Sequence, residues 1–533
     1  MQRCYQFAQI FTTFLFSLFI LSYQSGSAQY APQEIQNLRA FAKLYGYVRF
    51  FHPSDEASRI NWDKFAIYGV EKVKKAQNSK ELKRALEELF LPIAPTLQIY
   101  YSGEKPEDVR EIFPEDTSGL YVVAWQHKGV ELHPLWSAPY SSTRIGRIPE
   151  RILNEVWPEF DKYDQEFKGK KFKLTARAKA DLKGKRGGGY IYFFAFAKGR
   201  FIFEEYMRDR PIRQNEWREY VITGEFSENP GYLEFGAELI GSGKMWVDDF
   251  HFYLSGKDGK WEEVPLNNPD FDEVEADQNP SSWFYHEGDV FEYKVVRDGD
   301  NNVLQIKSAE GYALGSLFKG YPKVGEVINK ELDAGLFCQV PLALRSDSAG
   351  TIGKNERYPL DTLLAALDSI EMDSLTADNE CVRLGNVVIV WNVMQHFYPY
   401  FDVVEVNWDR ELTNTFKEVL TNRNEEDFLY SIDRLLAKLQ DGHARAYKIE
   451  KVERACFPFL LEWVEDRVVV TVSKDTTNFK RGDIILAIDG EDATKFFLEQ
   501  QQYISGSPQL KKHIVFERFI RGKKGTKAKF TLK

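Results

Sequence analysis

The chain has almost no cysteine, four in 533 residues. With Cys4 at the N-terminus set aside, Cys338, Cys381 and Cys456 form an odd set without paired spacing. That excludes a disulfide framework and a Cys-x-x-Cys metal site, so large apolar cores must hold the fold. Histidine is scarce too: His52, His127, His133, His251, His286 and His513 lie scattered, without the short spacings of a zinc site, and no metal or other cofactor is expected. No basic run interleaves with aromatics, and 70 Lys and Arg stand against 80 Asp and Glu for a net charge of −10. Nucleic acid is thereby excluded as a partner. Nor does any apolar run reach the ~20 residues that span a bilayer. The longest, Ile10 to Leu21, follows Arg3 and precedes Gly26-Ser27-Ala28, the pattern of an export signal cleaved after Ala28. The expectation is a chain released to the periplasm, cell envelope or exterior, with no stable membrane span.

What is present is a large folded chain: 43% hydrophobic and 15% aromatic residues, a composition that argues against extensive disorder and for β-rich parts. Its length suits three to four domains of ~150 residues each. After the signal (1–28), residues 30–104 read as helical, with Leu82, Leu86 and Leu89 on one face and Pro92 and Pro95 closing the pattern. A second helical stretch fills 383–455, and the two superpose without a gap 346 positions apart. Phe51-His52-Pro53 meets Phe397-Tyr398-Pro399, and Asn61-Trp62-Asp63 meets Asn407-Trp408-Asp409. A shared F-x-P-x7-N-W-D string points to a duplicated helical module, the first copy degenerate. Pro399, Trp62 and Trp408 are expected to be structural: the proline ends a helix, and Asn beside Trp caps the next and pins its entry.

Between the copies, alternation such as Phe172-Lys173-Leu174-Thr175-Ala176 and Tyr190-Ile191-Tyr192-Phe193-Phe194 marks strands. Gly241-Ser242-Gly243-Lys244-Met245-Trp246-Val247-Asp248-Asp249-Phe250 resembles the last strand of galactose-binding-like β-sandwich modules, which places such a sandwich over 105–260. Exposed aromatics on it, Tyr190, Tyr192 or Trp217, could stack on glycans, and Asp248 with Asp249 could ligate calcium, although a turn role suits that pair better. Residues 261–345 read as a further β-rich segment opening another sandwich, and 346–382 as a linker with one short helix around Leu360 to Leu367.

The second helical copy ends in Asp441-Gly442-His443, where the first has Pro95-Thr96-Leu97. A histidine after a helix, preceded by a glycine that frees the turn, can serve as a general base because its pKa lies near ~6.5; a surface or structural histidine fits the same pattern. Residues 456–533 then show Arg481-Gly482-Asp483-Ile484-Ile485-Leu486-Ala487-Ile488-Asp489-Gly490, the turn and strand of a PDZ module, in which Gly482 and Asp483 make the turn and a helix from Ala493 to Tyr503 follows.

A helical module ending in L-x-D-G-H and followed by a PDZ module resembles the tail-specific (C-terminal processing), tricorn-like serine peptidases, and His396-Phe397-Tyr398-Pro399-Tyr400 resembles their exported bacterial branch. The fold class implied is multidomain α+β: a duplicated helical module, a central galactose-binding-like sandwich and a C-terminal PDZ domain. Implied roles are a general base at His443, turn shaping by Asp441 and Gly442, and peptide binding at Phe459, Leu460 and Leu461. The partners implied are polypeptide substrates or protein C-termini, with glycans on the sandwich as a further option. Gly442 replaces the serine that orients the histidine in tricorn-type members, and in the C-terminal-processing branch a Ser-Lys pair acts instead, leaving His443 structural. The family's nucleophile lies in an α/β domain after the PDZ module, and the sequence stops at Lys533. Ser505 and Ser507 are not expected to replace it. These residues by themselves are therefore expected to be inactive. The alternative is a non-catalytic peptide- or glycan-binding envelope protein of the same ancestry.

Overall fold

The computed structural model describes residues 32–108, 116–117, 120–129, 140–147, 155–158, 166–198, 200–256, 258–285, 289–310, 312–347, 349–353, 357–447 and 454–533. The expected export signal, His133 and His286 lie outside them. Among the described residues no helix is long and apolar enough to cross a membrane. The architecture is mixed α+β.

Helix α1 (Pro32–Phe51) buries Leu38, Phe41, Tyr45 and Val48, the i, i+3, i+4 stripe of a helix packed on one side. It is followed by α2 (Asp55–Arg59), α3 (Trp62–Lys74) and α4 (Ser79–Phe90). In the later part of the chain come α5 (Leu360–Asp368), α6 (Glu380–Phe397), α7 (Trp408–Val419) and α8 (Glu425–Ala437). Helices α1, α3 and α4 return as α6, α7 and α8 at the 346-residue offset, down to their caps. The Asn61 side chain accepts from the backbone of Asp63 and Lys64, and Asn407 from Arg410; Asn78 accepts from Glu81, and Asn424 from Asp427. Each cap satisfies N–H groups that a helix start otherwise leaves open. Asn61→Ala and Asn407→Ala should each cost about 1 kcal/mol in urea unfolding. Beside the caps, the indole N–H of Trp62 donates to the Ala57 carbonyl (3.0 Å) and that of Trp408 to the Trp391 carbonyl (3.1 Å). Pro399 follows the end of α6 and is exposed.

The two copies do not stand apart as separate modules; they close on one another in a single core that joins Phe41, Phe65 and Phe90 to Leu384, Val387, Trp391 and Phe416. The packing is reciprocal. Gly385 of α6 sits against Ile67 of α3, and with the copies exchanged Arg39 of α1 bonds Thr413 of α7. Gly46 and Asn392, themselves equivalent, face each other. Contacts that recur with the partners swapped are the mark of a two-fold arrangement. A three-stranded antiparallel sheet of Gln98–Tyr101, Leu336–Pro341 and Val327–Asp333 covers α1, and α5 adds Leu363 and Leu367 to the same core, so 346–382 is more than a linker.

The central region is a nine-stranded sheet built on two long strands, Lys171–Ala197 and Tyr232–Ser255, paired antiparallel from Phe172 with Leu254 to Phe196 with Tyr232. Phe172, Phe193, Phe235 and Phe252 stack in its core. Among the described residues, the segment 261–345 builds no sheet of its own. Its strands Trp283–Tyr285, Phe291–Asp298 and Asn301–Ser308 extend this same sheet, its next two join the sheet over α1, and Ala343–Ser346 pairs with Tyr121–Lys128. Strand order in sequence cannot reveal this, because pairing is non-local.

Residues 454–533 have their own core of Phe459, Leu461, Val470, Ile485, Ile488, Phe497 and Phe516, with helices α9 (Ala493–Gln500) and α10 (Pro508–Ile520). The Gly482 N–H donates to the Val470 carbonyl and the Val470 N–H to that of Asp483, while the Asp483 N–H turns back to the Lys480 carbonyl. Asp489 and Gly490, both at positive φ, close the hairpin between Ile488 and Glu491, as a tight two-residue turn requires.

Candidate functional site

Helix α8 runs out at Ala437, Gln440 takes a positive φ, and the chain turns sharply through Asp441-Gly442-His443. Within that turn Asp441 Oδ1 accepts the backbone N–H of His443 at 2.9 Å and lies 3.1 Å from its Nδ1. A carboxylate only accepts, so Nδ1 carries a proton, which in the neutral ring leaves Nε2 as the acceptor. The His443 side chain is 97% exposed, with that nitrogen turned to solvent. Chemically this is an exposed imidazole oriented by an aspartate.

Comparison of the two copies shows how unusual this corner is. In the first copy His52 fills it: its ring nitrogens lie 3.0 Å from Ser54 Oγ and 2.8 Å from Thr96 Oγ1, and Ser54 donates to the Ile93 carbonyl. In the second, Tyr398 donates to the Leu439 carbonyl, the equivalent of Ile93. The first corner is sealed from above. Trp125 donates to the His52 carbonyl, His127 lies 2.6 Å from that of Phe50, and Arg144 donates to those of Pro53 and Ser54. Asp55 is clamped by Arg144 and Arg147, which hold its carboxyl below the usual range against the opposing effect of burial. Burial pushes His52 down to about 3. In the second copy, among the described residues, Tyr400, Val403 and Tyr447 are exposed by 53%, 71% and 72%.

Sequence reasoning missed the residues that hold this turn. Ser505 is 5% exposed; its Oγ accepts the Asp441 N–H at 3.0 Å and donates to the Leu436 carbonyl at 3.0 Å. Arg518 reaches Asp433 Oδ2 at 2.8 Å, and Asp433 Oδ1 accepts the Ala446 N–H. Nothing local in Ile504-Ser505-Gly506 signals a partner 64 residues away.

Of the three positions expected to bind peptide, Phe459 and Leu461 are buried in the core and only Leu460 faces out, because alternation sends every second residue of Phe459–Val464 inward. Tyr190 and Tyr192 are likewise buried and offer no sugar-stacking surface. Trp217 is engaged, donating to Asp298 while Arg177 and Lys179 lie over its ring. Asp249 pairs with Arg177, and burial together with the Asp249 charge raises Asp248 to about 7. Among the described residues no group of three or more His, Cys, Asp or Glu could hold a metal ion.

No protein-family model matches the sequence, and no curated protein matches it. Among solved structures, that of mature CPAF complexed with lactacystin is similar over 28% of this chain and 34% of that one, at 10% identity and a TM-score of 0.24. The chain thus spans about a third of the length of that relative. Likeness at this level is weak and partial, and does not by itself establish a shared fold.

Proposed function

We propose that the chain supplies the base-bearing part of an exported serine-type peptidase of the tail-specific, tricorn-like kind, built from a duplicated helical module, a galactose-binding-like sandwich and a PDZ module. The observation that carries this is the Asp441–His443 pair, exposed among the described residues, at a corner whose counterpart in the first copy is sealed. In this reading His443 Nε2 takes the proton of a serine hydroxyl as it attacks a peptide carbonyl, while Asp441 fixes the tautomer and stabilises the imidazolium. Ser505 is not that serine, because it is buried and already donates to Leu436. The nucleophile belongs to polypeptide that docks on the open corner. Substrate would reach it through the PDZ module: among the described residues the strand Phe459–Val464 pairs only with Arg467–Ser473, which leaves an edge for an extended polypeptide to join. Leu460, Val464 and Val472 are exposed there for apolar side chains of the added strand.

The test is digestion of unfolded casein by the native protein isolated from its source. His443→Ala should lower kcat by about a hundredfold or more, the usual worth of a positioned general base. Undiminished digestion by the variant would remove His443 from the mechanism. A second reading, a peptide-binding envelope protein without turnover, draws on the same open strand edge. It requires equal binding of peptide C-termini by wild type and His443→Ala, with no cleavage by either.

A further inference from the structure

The turn that carries His443 is gripped on both arms by the C-terminal unit. On its N-terminal arm, the Asp441 N–H is fixed by Ser505, which spans to the last turn of α8 through Leu436. Gly442 and Gly506 meet nearly backbone to backbone: a Cβ on Gly506 would come within 3.4 Å of Gly442 Cα, and a Cβ on either glycine would strike Leu510 Cδ2, at 2.5 Å from Gly442 and 2.7 Å from Gly506. On the C-terminal arm, the Ala446 N–H rests on Asp433, whose other oxygen is held by Arg518 of α10. Arg518 also donates to the Tyr503 carbonyl, and Arg434 of α8 to the Tyr503 hydroxyl. Loop 441–446 therefore owes its shape to residues 503–518, not to α8 alone.

We infer that Ser505, seated by the Gly442–Gly506–Leu510 contact, is a positioning residue for His443: it holds the Asp441 backbone so that Oδ1 can take both His443 N–H groups and leave Nε2 as the free base. This rests on the peptidase reading for its purpose, though not for its geometry. The Asp441 carboxylate reaches the imidazole only across a two-residue turn, so the orientation of the Asp441 peptide decides whether the 3.1 Å contact exists. Ser505 is the side chain that bonds that peptide N–H. Loss of the hydroxyl frees the turn, and a fully exposed imidazole then divides itself between tautomers in water.

The experiment uses the full chain labelled with 15N-histidine, its His443 signals assigned by their loss in His443→Gln. Long-range 1H–15N spectra of the neutral ring should report the Nδ1-protonated form in wild type. In Ser505→Ala its share should fall by about twofold or more towards the free-imidazole mixture, and Ser505→Thr, which keeps a hydroxyl, should restore it. Leu510→Ala, at a half-buried position on α10, gives a second route to the same loss should Ser505→Ala fail to fold. A wild-type signature persisting in every folded member of the Ser505→Ala and Leu510→Ala pair overturns the inference, whatever the chain digests. If the signature collapses while the wild type cleaves nothing, the positioning stands and the peptidase reading falls.

Discussion

Acidification from pH 7.5 to 5 is expected to destabilise the helical core by about 4 kcal/mol through His52 and His396 alone. Both imidazoles are held well below the ordinary value, at about 3 and about 4, with burial as the leading cause in each and the nearby His127 adding to it for His396. The unfolded chain therefore binds protons at these sites first, near ~6.5, and the folded state resists them. Stability is complete above that value, falls as pH drops through it, and goes on falling until the folded values are reached. At pH 5 neither folded site has yet titrated, so each costs about 2 kcal/mol. The structure shows why neither can be rescued. His52 is caged by the neutral hydroxyls of Ser54 and Thr96. Among the described residues the Nε2 of His396 has no hydrogen-bond partner, and its ring is flanked edge-on by Tyr47, Phe50 and Phe51. Hydrogen exchange of α1 and α6 amides reads this core apart from the sandwich. His396→Phe should recover about half of the loss at pH 5 and His52→Gln much of the remainder. An acid limb of the same depth in both variants would show that other groups set it.

What was legible in the sequence was local. The F-x-P-x7-N-W-D string, the asparagine caps at Asn61 and Asn407, and the Gly482 turn each depend on chemistry within a few residues, and the structure has them where the sequence places them. What was not legible was which surfaces meet. Offset alone could not say that the two copies pack on one another, nor that Trp125, His127 and Arg144, far along the chain, cover the first His-Pro corner. The glycan-stacking role allowed for Tyr190 and Tyr192 failed for a related reason, because alternation cannot say whether both faces of a strand are covered. Here both are: Phe193 and Ile191 fill one core, and Tyr192 packs with Phe194 in a second cluster joined by Phe201, Tyr206 and Tyr232. The Ser505 grip on Asp441 belongs to the same class, a contact between distant segments with no sequence signature.

Gly46→Ala tests the two-fold packing itself, and it should cost about 3 kcal/mol although alanine is the better helix former. On an open helix face the exchange would stabilise by about 1 kcal/mol, so the sign of the result separates the two situations. A Cβ at Gly46 would lie 1.9 Å from Asn392 Oδ1 and 2.6 Å from His396 Nε2. Neither group can simply step aside. Asn392 is fully buried and its Nδ2 donates to the Ala42 carbonyl of α1 at 2.8 Å and the Val388 carbonyl of its own helix at 2.9 Å, so turning the amide strands it without partners. The remaining response is for α1 and α6 to separate, which opens the core where Phe41 and Val387 are wholly buried. Asn392→Ala removes the nearer obstruction and leaves that of His396 Nε2, so in that background Gly46→Ala should lose part of its cost, a coupling of about 1 kcal/mol or more in the double-mutant cycle. If Gly46→Ala is neutral or stabilising in the wild-type background, α1 and α6 do not approach at this pair of equivalent positions, and the shared core of the two copies is not packed about them.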